Sequence, residues 1–306
     1  MRKRVAFTML ELVFSIVILG IIGKFGVEFL AQVYKSFIFS TENHKLLARS
    51  SSTAELIASR LQYRIKDSVI ARKNGATDDP IAIGSASGTD YKILEWIGYD
   101  SDGYRGIWDG SFFKPLWSGI LDLDAGDANK LVSPETNTSA IDHLVRVLSD
   151  GNSTIDDVAL YFPGSDSDIQ TGYGWDGNLT LINDQNGTMH PVTSVSGHID
   201  EFNTSTGTNF SDVDIYEYYK LAWTAYAIVL EDYNATGNNT GTLKLYYNYQ
   251  PWKGENYDSA GTISTILMKN VSTFQFTAID SILKIQVCVK SDLVEEYSIC
   301  KEKTIF

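Results

Sequence analysis

The chain has 306 residues and a formal net charge of −13, because 38 acidic residues outnumber 25 basic ones. About 235 residues follow the first 70, which is enough for one large domain or for a domain with insertions. Outside the first 70 residues no basic patch occurs, and this argues against nucleic acid as a partner. The acidity indicates instead a domain that stays soluble outside the cell membrane.

An apolar run begins at Val5 and ends at Gly23, directly after the basic cluster Arg2-Lys3-Arg4. As a helix, these 19 residues would be roughly 28 Å long at ~1.5 Å per residue, close to the hydrocarbon thickness of a bilayer. The sequence therefore predicts a transmembrane helix, and the basic cluster places its N-terminus in the cytoplasm. The side chains expected in membrane lipid include Val13, Ile16, Ile18 and Ile21.

Glu11 is the one charged residue inside this apolar run. A carboxylate within a membrane-length helix is costly and therefore points to a function. An ordinary signal peptide would be cut after the run at a small-residue site, but residues 26–32 offer no good one. A plain signal anchor gives no reason to keep the acid. The structural alternative is an acid that snorkels from a helix end, although Glu11 lies seven residues from Arg4.

The string Ala6-Phe7-Thr8-Met9-Leu10-Glu11 resembles the cleavage and methylation site of type IV prepilins and of the pseudopilins of type II secretion. The resemblance implies a leader peptide over residues 1–6, cut between Ala6 and Phe7 by a prepilin peptidase. It implies methylation of the Phe7 amine, and a role for Glu11 in neutralising an N-terminal amine during assembly. Ala6 stands where the family normally has Gly.

The predicted helix continues past the membrane as an amphipathic stalk, because no proline occurs from Val27 to Ile70 and apolar residues recur at helical spacing. We expect one transmembrane and stalk helix over residues 7–70, whose C-terminal half packs against a globular domain. Gly20, Gly23 and Gly26 lower helix propensity. They suit either local unwinding in a filament, as in the family, or small-residue packing in the membrane.

Beyond Asn74 the sequence changes to short apolar runs separated by Gly, Asp, Asn, Ser and Thr, a pattern typical of strands and turns. The fold class expected is α+β, with the long helix packed on an antiparallel β-sheet in an exported domain over residues 71–306. The predicted strands are Tyr91–Tyr99, His143–Leu148, Asp157–Phe162, Tyr216–Leu230, Thr242–Tyr249, Ile263–Phe276 and Ile282–Val289.

We expect no cofactor; acid-rich turns suggest calcium as the one candidate to test against that expectation, since oxygen-only clusters suit Ca²⁺. The carboxylates concerned are Asp100, Asp102, Asp122 and Asp124. The alternative is that these side chains bond their own backbone in turns, and neither string completes an EF-hand loop. No catalytic motif occurs and the four histidines show no metal-ligand spacing, so we expect no enzyme.

A Gly-rich stretch over residues 106–119 concentrates aromatic side chains at Trp108, Phe112, Phe113 and Trp117. If exposed, these would mark a contact surface. Packing of an insertion onto the main sheet is the commoner use of such residues, and it is the expectation here.

Nine N-x-S/T sequons occur, and six of them have an acid two residues before the Asn. Chance alone would give roughly one such acid, because Asp and Glu are 38 of the 306 residues. The acid-preceded form resembles the acceptor of oligosaccharyltransferases in Campylobacter-like bacteria, although Asn-, Asp- and Thr-rich loops also produce such strings. The candidate N-glycosylation sites are Asn137, Asn152, Asn178, Asn186, Asn203 and Asn234.

The two cysteines, Cys288 and Cys300, predict a structural disulfide, because the exported side of the membrane is oxidising. Apolar residues alternate with polar ones from Leu283 to Lys290, polar residues follow, and a second strand begins near Tyr297. A bridge would close this hairpin and add roughly 3 kcal/mol of stability.

The C-terminal third, through the string 265–276 and its N-V-x-x-F core, resembles large minor pilins and J-type pseudopilins. The resemblances together imply a structural minor subunit of a type IV pilus or type II secretion filament, at the tip or in an initiating position. Expected partners are other pilin or pseudopilin subunits, the peptidase and an inner-membrane assembly platform. The expected location is the bacterial inner membrane, with the domain in the periplasm. An adhesive tip subunit and a signal-anchored exported enzyme or binding domain are the alternatives.

Overall fold

A computed structural model describes residues 8–86, 88, 90–163, 189–204, 210, 215–279 and 282–306 of the chain. The predicted leader and cleavage site at Ala6 and Phe7, and the candidate sequons at Asn178 and Asn186, lie outside these residues. One long helix, α1 (Met9–Leu61), begins the described chain and is followed by a β-rich domain. At ~1.5 Å per residue, α1 is roughly 80 Å long.

The main sheet has eight antiparallel strands in the order β15-β14-β13-β12-β11-β3-β1-β2. Its strands are β1 (Ile70–Arg72), β2 (Ile81–Ala82), β3 (Ile93–Gly98), β11 (Thr224–Glu231), β12 (Gly241–Tyr247), β13 (Ile263–Ile279), β14 (Ile282–Lys290) and β15 (Ser298–Ile305). This bears out the coarse expectation of an α+β fold with a helix on an antiparallel sheet.

A second sheet of five antiparallel strands, in the order β10-β7-β8-β9-β6, lies behind the main sheet. Its strands are β6 (Lys130–Val132), β7 (Ala159–Tyr161), β8 (His190–Val195), β9 (His198–Thr204) and β10 (Lys220–Ala222). One face, through Ala159 and Tyr161, shares a core with the back of the main sheet. The other face packs on helix α3 (Thr138–Leu148) through Leu160 and Phe202. The layers therefore run α1, main sheet, second sheet, α3.

The stalk helix ends at Leu61, nine residues before the predicted boundary at 70. The chain beyond it pairs with β3 instead: the N–H of Ile65 donates to Ile97 O at 2.9 Å, and that of Tyr99 to Tyr63 O at 2.9 Å. Ile65, which continues the helical spacing in the sequence, is buried on the far side of the main sheet. Tertiary pairing with β3 thus overrides the local helical pattern.

The predicted strand His143–Leu148 is wrong, because these residues form the second half of α3. Asn137 caps that helix, and its side chain accepts the N–H of Ala140 at 3.0 Å. Ile141 and Val145, one turn apart, are buried against the second sheet. The helical i, i+4 spacing therefore outweighs the β-branched composition of the segment.

The predicted C-terminal hairpin is confirmed. Leu283, Ile285 and Val287 alternate along β14 and are all buried in the core beneath α1. Cys288 lies directly opposite Cys300 in the pairing of β14 with β15. The two sulfurs are joined in a disulfide that closes a separation of 12 residues.

Replacing both cysteines with alanine should lower the free energy of unfolding by about 3 kcal/mol, because the unfolded chain regains the loop entropy that the disulfide removes. The measurement is thermal unfolding of the full chain in detergent, followed by near-ultraviolet circular dichroism. A reducing agent should lower the midpoint of the wild type and leave that of C288A/C300A unchanged. An equal midpoint for the oxidised wild type and the variant would contradict the prediction.

Candidate functional site: the stalk helix and its clasp

The N-terminal half of α1 stands free of the domain. Every residue from 8 to 37 is exposed, and the side chains expected in lipid, Val13, Ile16, Ile18 and Ile21, are each 51–62% exposed. By length and composition the helix is apolar enough to cross a membrane. Such an apolar surface is not stable in water on its own and needs lipid or a partner helix.

Glu11 lies in the first turn of α1 and forms a capping box with Thr8. Its Oε2 accepts the Thr8 N–H at 3.0 Å and the Thr8 hydroxyl at 2.9 Å. The Glu11 N–H donates back to Thr8 Oγ1 at 3.4 Å. The pattern Thr8-Met9-Leu10-Glu11 has the spacing of a capping box, a signal that the sequence analysis missed. The carboxylate therefore has a local structural partner as well as its proposed role in assembly.

The C-terminal half of α1 is part of the main core. Leu46, Ile57 and Leu61 are buried against the face of the sheet that carries Trp96 and Leu243. Burying each large apolar side chain contributes ~1.5–3 kcal/mol. The helix α1 is thus divided into an exposed N-terminal half and a C-terminal half that packs in the core of the domain.

The loop after β14 clasps α1 at the point where the helix leaves the domain. The Ser291 hydroxyl donates to Oε1 of the buried Glu42 at 3.2 Å. The Tyr297 hydroxyl donates to Asn43 Oδ1 at 2.8 Å, and its ring lies 4.7 Å from that of Phe39. Because the disulfide closes this same loop, it also holds these groups against the helix.

The structure does not bring three or more of the four carboxylates considered for calcium together. In the described part of the chain, no group of three or more His, Cys, Asp or Glu side chains is arranged to hold a metal ion. Asp100 caps the short helix α2 (Ser101–Arg105) by accepting the Gly103 N–H at 3.0 Å. Asp122 Oδ1 accepts the backbone N–H groups of Asp124 and Ala125. Asp102 forms an ion pair with Arg105, with 3.9 Å between Asp102 Oδ1 and Arg105 Nη1. These contacts correspond to the alternative of acidic turns.

The aromatic stretch differs from the expectation of packing. Trp108, Phe112 and Phe113 are 55–61% exposed on a small hairpin of β4 (Ile107–Trp108) and β5 (Phe113–Lys114), whereas Trp117 is buried. The indole N–H of Trp117 donates to Asp100 Oδ2 at 3.2 Å. Because β4 and β5 have only two residues each, the hairpin does not bury the rings of Trp108, Phe112 and Phe113. Of these four aromatic residues, Trp117 is the one that lies in the core.

The described candidate sequons lie in different settings. Asn137 caps α3 and is half-buried, and Asn203 is an exposed residue within β9. Asn152 and Asn234 are exposed in turns. Three of the preceding acids, Glu135, Asp150 and Asp232, have left-handed φ values of 62°, 54° and 53°, which identifies these segments as tight turns.

No protein-family model, curated protein or solved structure matches the chain.

The buried Asp100 and the half-buried His190 have shifted pKa values of opposite sense. Burial raises the pKa of Asp100 from 3.8 to about 6, although hydrogen bonds from Gly103 and Trp117 act against the shift. Burial lowers the pKa of His190 from 6.5 to about 4, and its ring packs 5.3 Å from that of Phe162.

Asp100→Asn should therefore change how stability depends on pH. The folded protein binds the Asp100 proton more tightly than the unfolded chain, so this group stabilises at low pH and loses that contribution as pH rises from about 4 to 6. Relative to wild type, the free energy of unfolding of D100N should rise by about 2–3 kcal/mol over that interval.

His190→Gln should show the opposite trend, because neutral His190 contributes stability that is lost as pH falls from 6.5 to 4. Urea unfolding at several pH values measures both, and parallel curves for wild type and variants would contradict the assignment.

Proposed function

We propose that this chain is a structural subunit of a type IV pilus-like filament, either a minor pilin or a J-like minor pseudopilin of type II secretion. Its role is mechanical rather than catalytic: the free half of α1 inserts into a bundle of homologous helices while the domain stays outside that bundle. The observation that carries the proposal is the division of α1 into a fully exposed apolar half and a half built into the domain core.

The exposed half supports the proposal because it suits two environments in turn. It is long and apolar enough for a membrane, which suits storage in the bacterial inner membrane with the domain on the periplasmic side. The same surface can pack on other apolar helices once the subunit is drawn from the lipid, because dispersion contacts replace those with lipid tails.

Glu11 supports the proposal because an amine and a carboxylate in lipid are each costly alone and less so when paired. In the proposed sequence of events the prepilin peptidase cuts after Ala6, Phe7 is methylated, and Glu11 meets the N-terminal amine of another subunit at the assembly platform. The string of residues 6–11 supplies this sequence of events through its resemblance to prepilins.

The domain supports a tip or initiating position. The second sheet and α3 lie behind the main sheet, away from α1, and they enlarge the subunit on the side opposite the helix. A subunit of this bulk fits the end of a helical bundle, where neighbours stand on one side only, better than a repeated position in the shaft.

The charge and the capping role of Glu11 can be separated. Glu11→Gln removes the charge and keeps a residue that can complete a capping box, whereas Thr8→Ala keeps the charge and removes the cap. If the charge drives assembly, E11Q should reduce incorporation into filaments about tenfold or more, since an unpaired amine in lipid costs more than ~1.4 kcal/mol. T8A should incorporate close to the wild-type level.

The measurement is the amount of subunit in sheared filaments relative to the amount in the membrane, by immunoblot. Equal membrane levels of the three proteins serve as the control for folding and insertion. Wild-type incorporation of E11Q, or a loss as large for T8A as for E11Q, would contradict the role proposed for the carboxylate. A signal-anchored enzyme would be indifferent to both changes.

A further inference from the structure

The turn between β11 and β12 carries the acid-preceded sequon Asp232-Tyr233-Asn234-Ala235-Thr236. We propose that Asn234 is an N-glycosylation site that is used in the folded, exported domain and that depends on Asp232. The donor is a lipid-linked oligosaccharide, and the catalyst is an oligosaccharyltransferase of the acid-requiring bacterial type. This inference is independent of the filament role.

Asn234 lies at the surface of the turn, and its side-chain amide lies next to Gly237. Asn234 is exposed, and its backbone closes the turn by donating to Thr240 O at 3.1 Å and accepting the Asn239 N–H at 3.0 Å. Its side-chain Nδ2 donates no hydrogen bond to a described residue. The nitrogen that must form the glycosidic bond is therefore not engaged in a hydrogen bond within the folded domain.

The sequon is already bent so that its two essential groups meet. Asn234 Oδ1 accepts both the N–H and the hydroxyl of Thr236, each at 3.2 Å. This Asx turn places the acceptor amide beside the hydroxyl that defines the sequon. An extended strand would hold those side chains on the same face but one full pleat apart.

The carboxylate that precedes the sequon is also available. Asp232 is exposed in the left-handed region, with φ 53°, and forms no ion pair within the described part of the chain. Its neighbour Glu231 forms an ion pair with Lys244, with 2.6 Å between Glu231 Oε2 and Lys244 Nζ. Tyr233, half-buried against the main core, fixes the turn between the two exposed side chains.

The other described sequons lack this combination. Asn152 donates its Nδ2 to Ser149 O at 3.0 Å, and Asn270 donates its Nδ2 to Asp292 at 2.7 Å. Asn137, the N-cap of α3, is half-buried rather than exposed. Asn203 lies in β9 between β6 and β8, paired on both sides.

Asn238 provides a matched control within the same turn. It is exposed like Asn234, but residue 236, two before it, is Thr rather than an acid. The hydroxyl residue of its sequon, Thr240, is buried. Location alone would favour both asparagines, whereas the geometry favours Asn234.

The turn lies at the end of the domain that faces the membrane. Lys290 Nζ, at the end of β14, donates to Asn238 O at 3.2 Å, and the next residues form the clasp around α1 at residues 39–43. A lipid-linked donor is held at the membrane surface, so the site is on the side of the domain that the donor can reach.

In the reaction, Asn234 Nδ2 bonds to the anomeric carbon of the donor sugar, and the bond from that carbon to the diphosphate oxygen breaks. The polyprenyl diphosphate leaves, and the amide loses one proton.

The test is expression of the full chain in a bacterium that supplies the acid-requiring transferase and its lipid-linked oligosaccharide, followed by mass spectrometry of glycopeptides. We expect a glycan on Asn234 at higher occupancy than on Asn137, Asn152, Asn203 or Asn238. N234Q should lose that glycan and D232A should reduce its occupancy at least tenfold, whereas N238Q should retain it. An unmodified Asn234, equal occupancy of Asn238, or full occupancy in D232A would each overturn the proposal.

Discussion

The packing of one face of α1 against the main sheet is the contact on which the rest of the structure depends. Leu46, Ile57 and Leu61 meet the buried faces of strands that are far apart in the chain, from β3 to β15. Because these strands share a core with the helix, the position of the domain along α1 is set by packing. The fold therefore sets the residue near 37 at which the exposed segment of α1 ends.

Two further features follow from that division of the helix. At the proximal end, the disulfide-closed loop adds polar contacts to Glu42 and Asn43, so the helix leaves the domain through a specific clasp. At the distal end, α2 approaches the end of α1, where Arg105 lies 3.5 Å from the Tyr63 hydroxyl. The exposed rings of Trp108, Phe112 and Phe113 follow α2 directly in the chain.

Short-range sequence patterns predicted the elements that are formed by residues close together in the chain, such as the C-terminal hairpin. The alternation from Leu283 to Val289 identified β14, and the cysteine pair identified its partner strand. Two strands of the second sheet, β7 and β10, lie within the predicted strands Asp157–Phe162 and Tyr216–Leu230. Their membership of a separate sheet was not predicted, because the strands are short and their partners are distant: Lys130 pairs with Asn203, and Leu160 with His190. The helix of His143–Leu148 was missed because β-branched residues outweighed the cap at Asn137. Trp117 and Trp108 have similar sequence surroundings. Tertiary contacts with Asp100 and Tyr219 distinguish the buried ring of Trp117 from the exposed ring of Trp108.

The mature N-terminus tests the central claim most directly. The account predicts that the protein isolated from its native membrane begins at Phe7 and carries one added methyl group on the Phe7 amine, while α1 remains attached. Mass spectrometry of the N-terminal peptide measures both. A chain that still begins at Met1 would contradict a pilin-like subunit, and so would a chain cut after the apolar run.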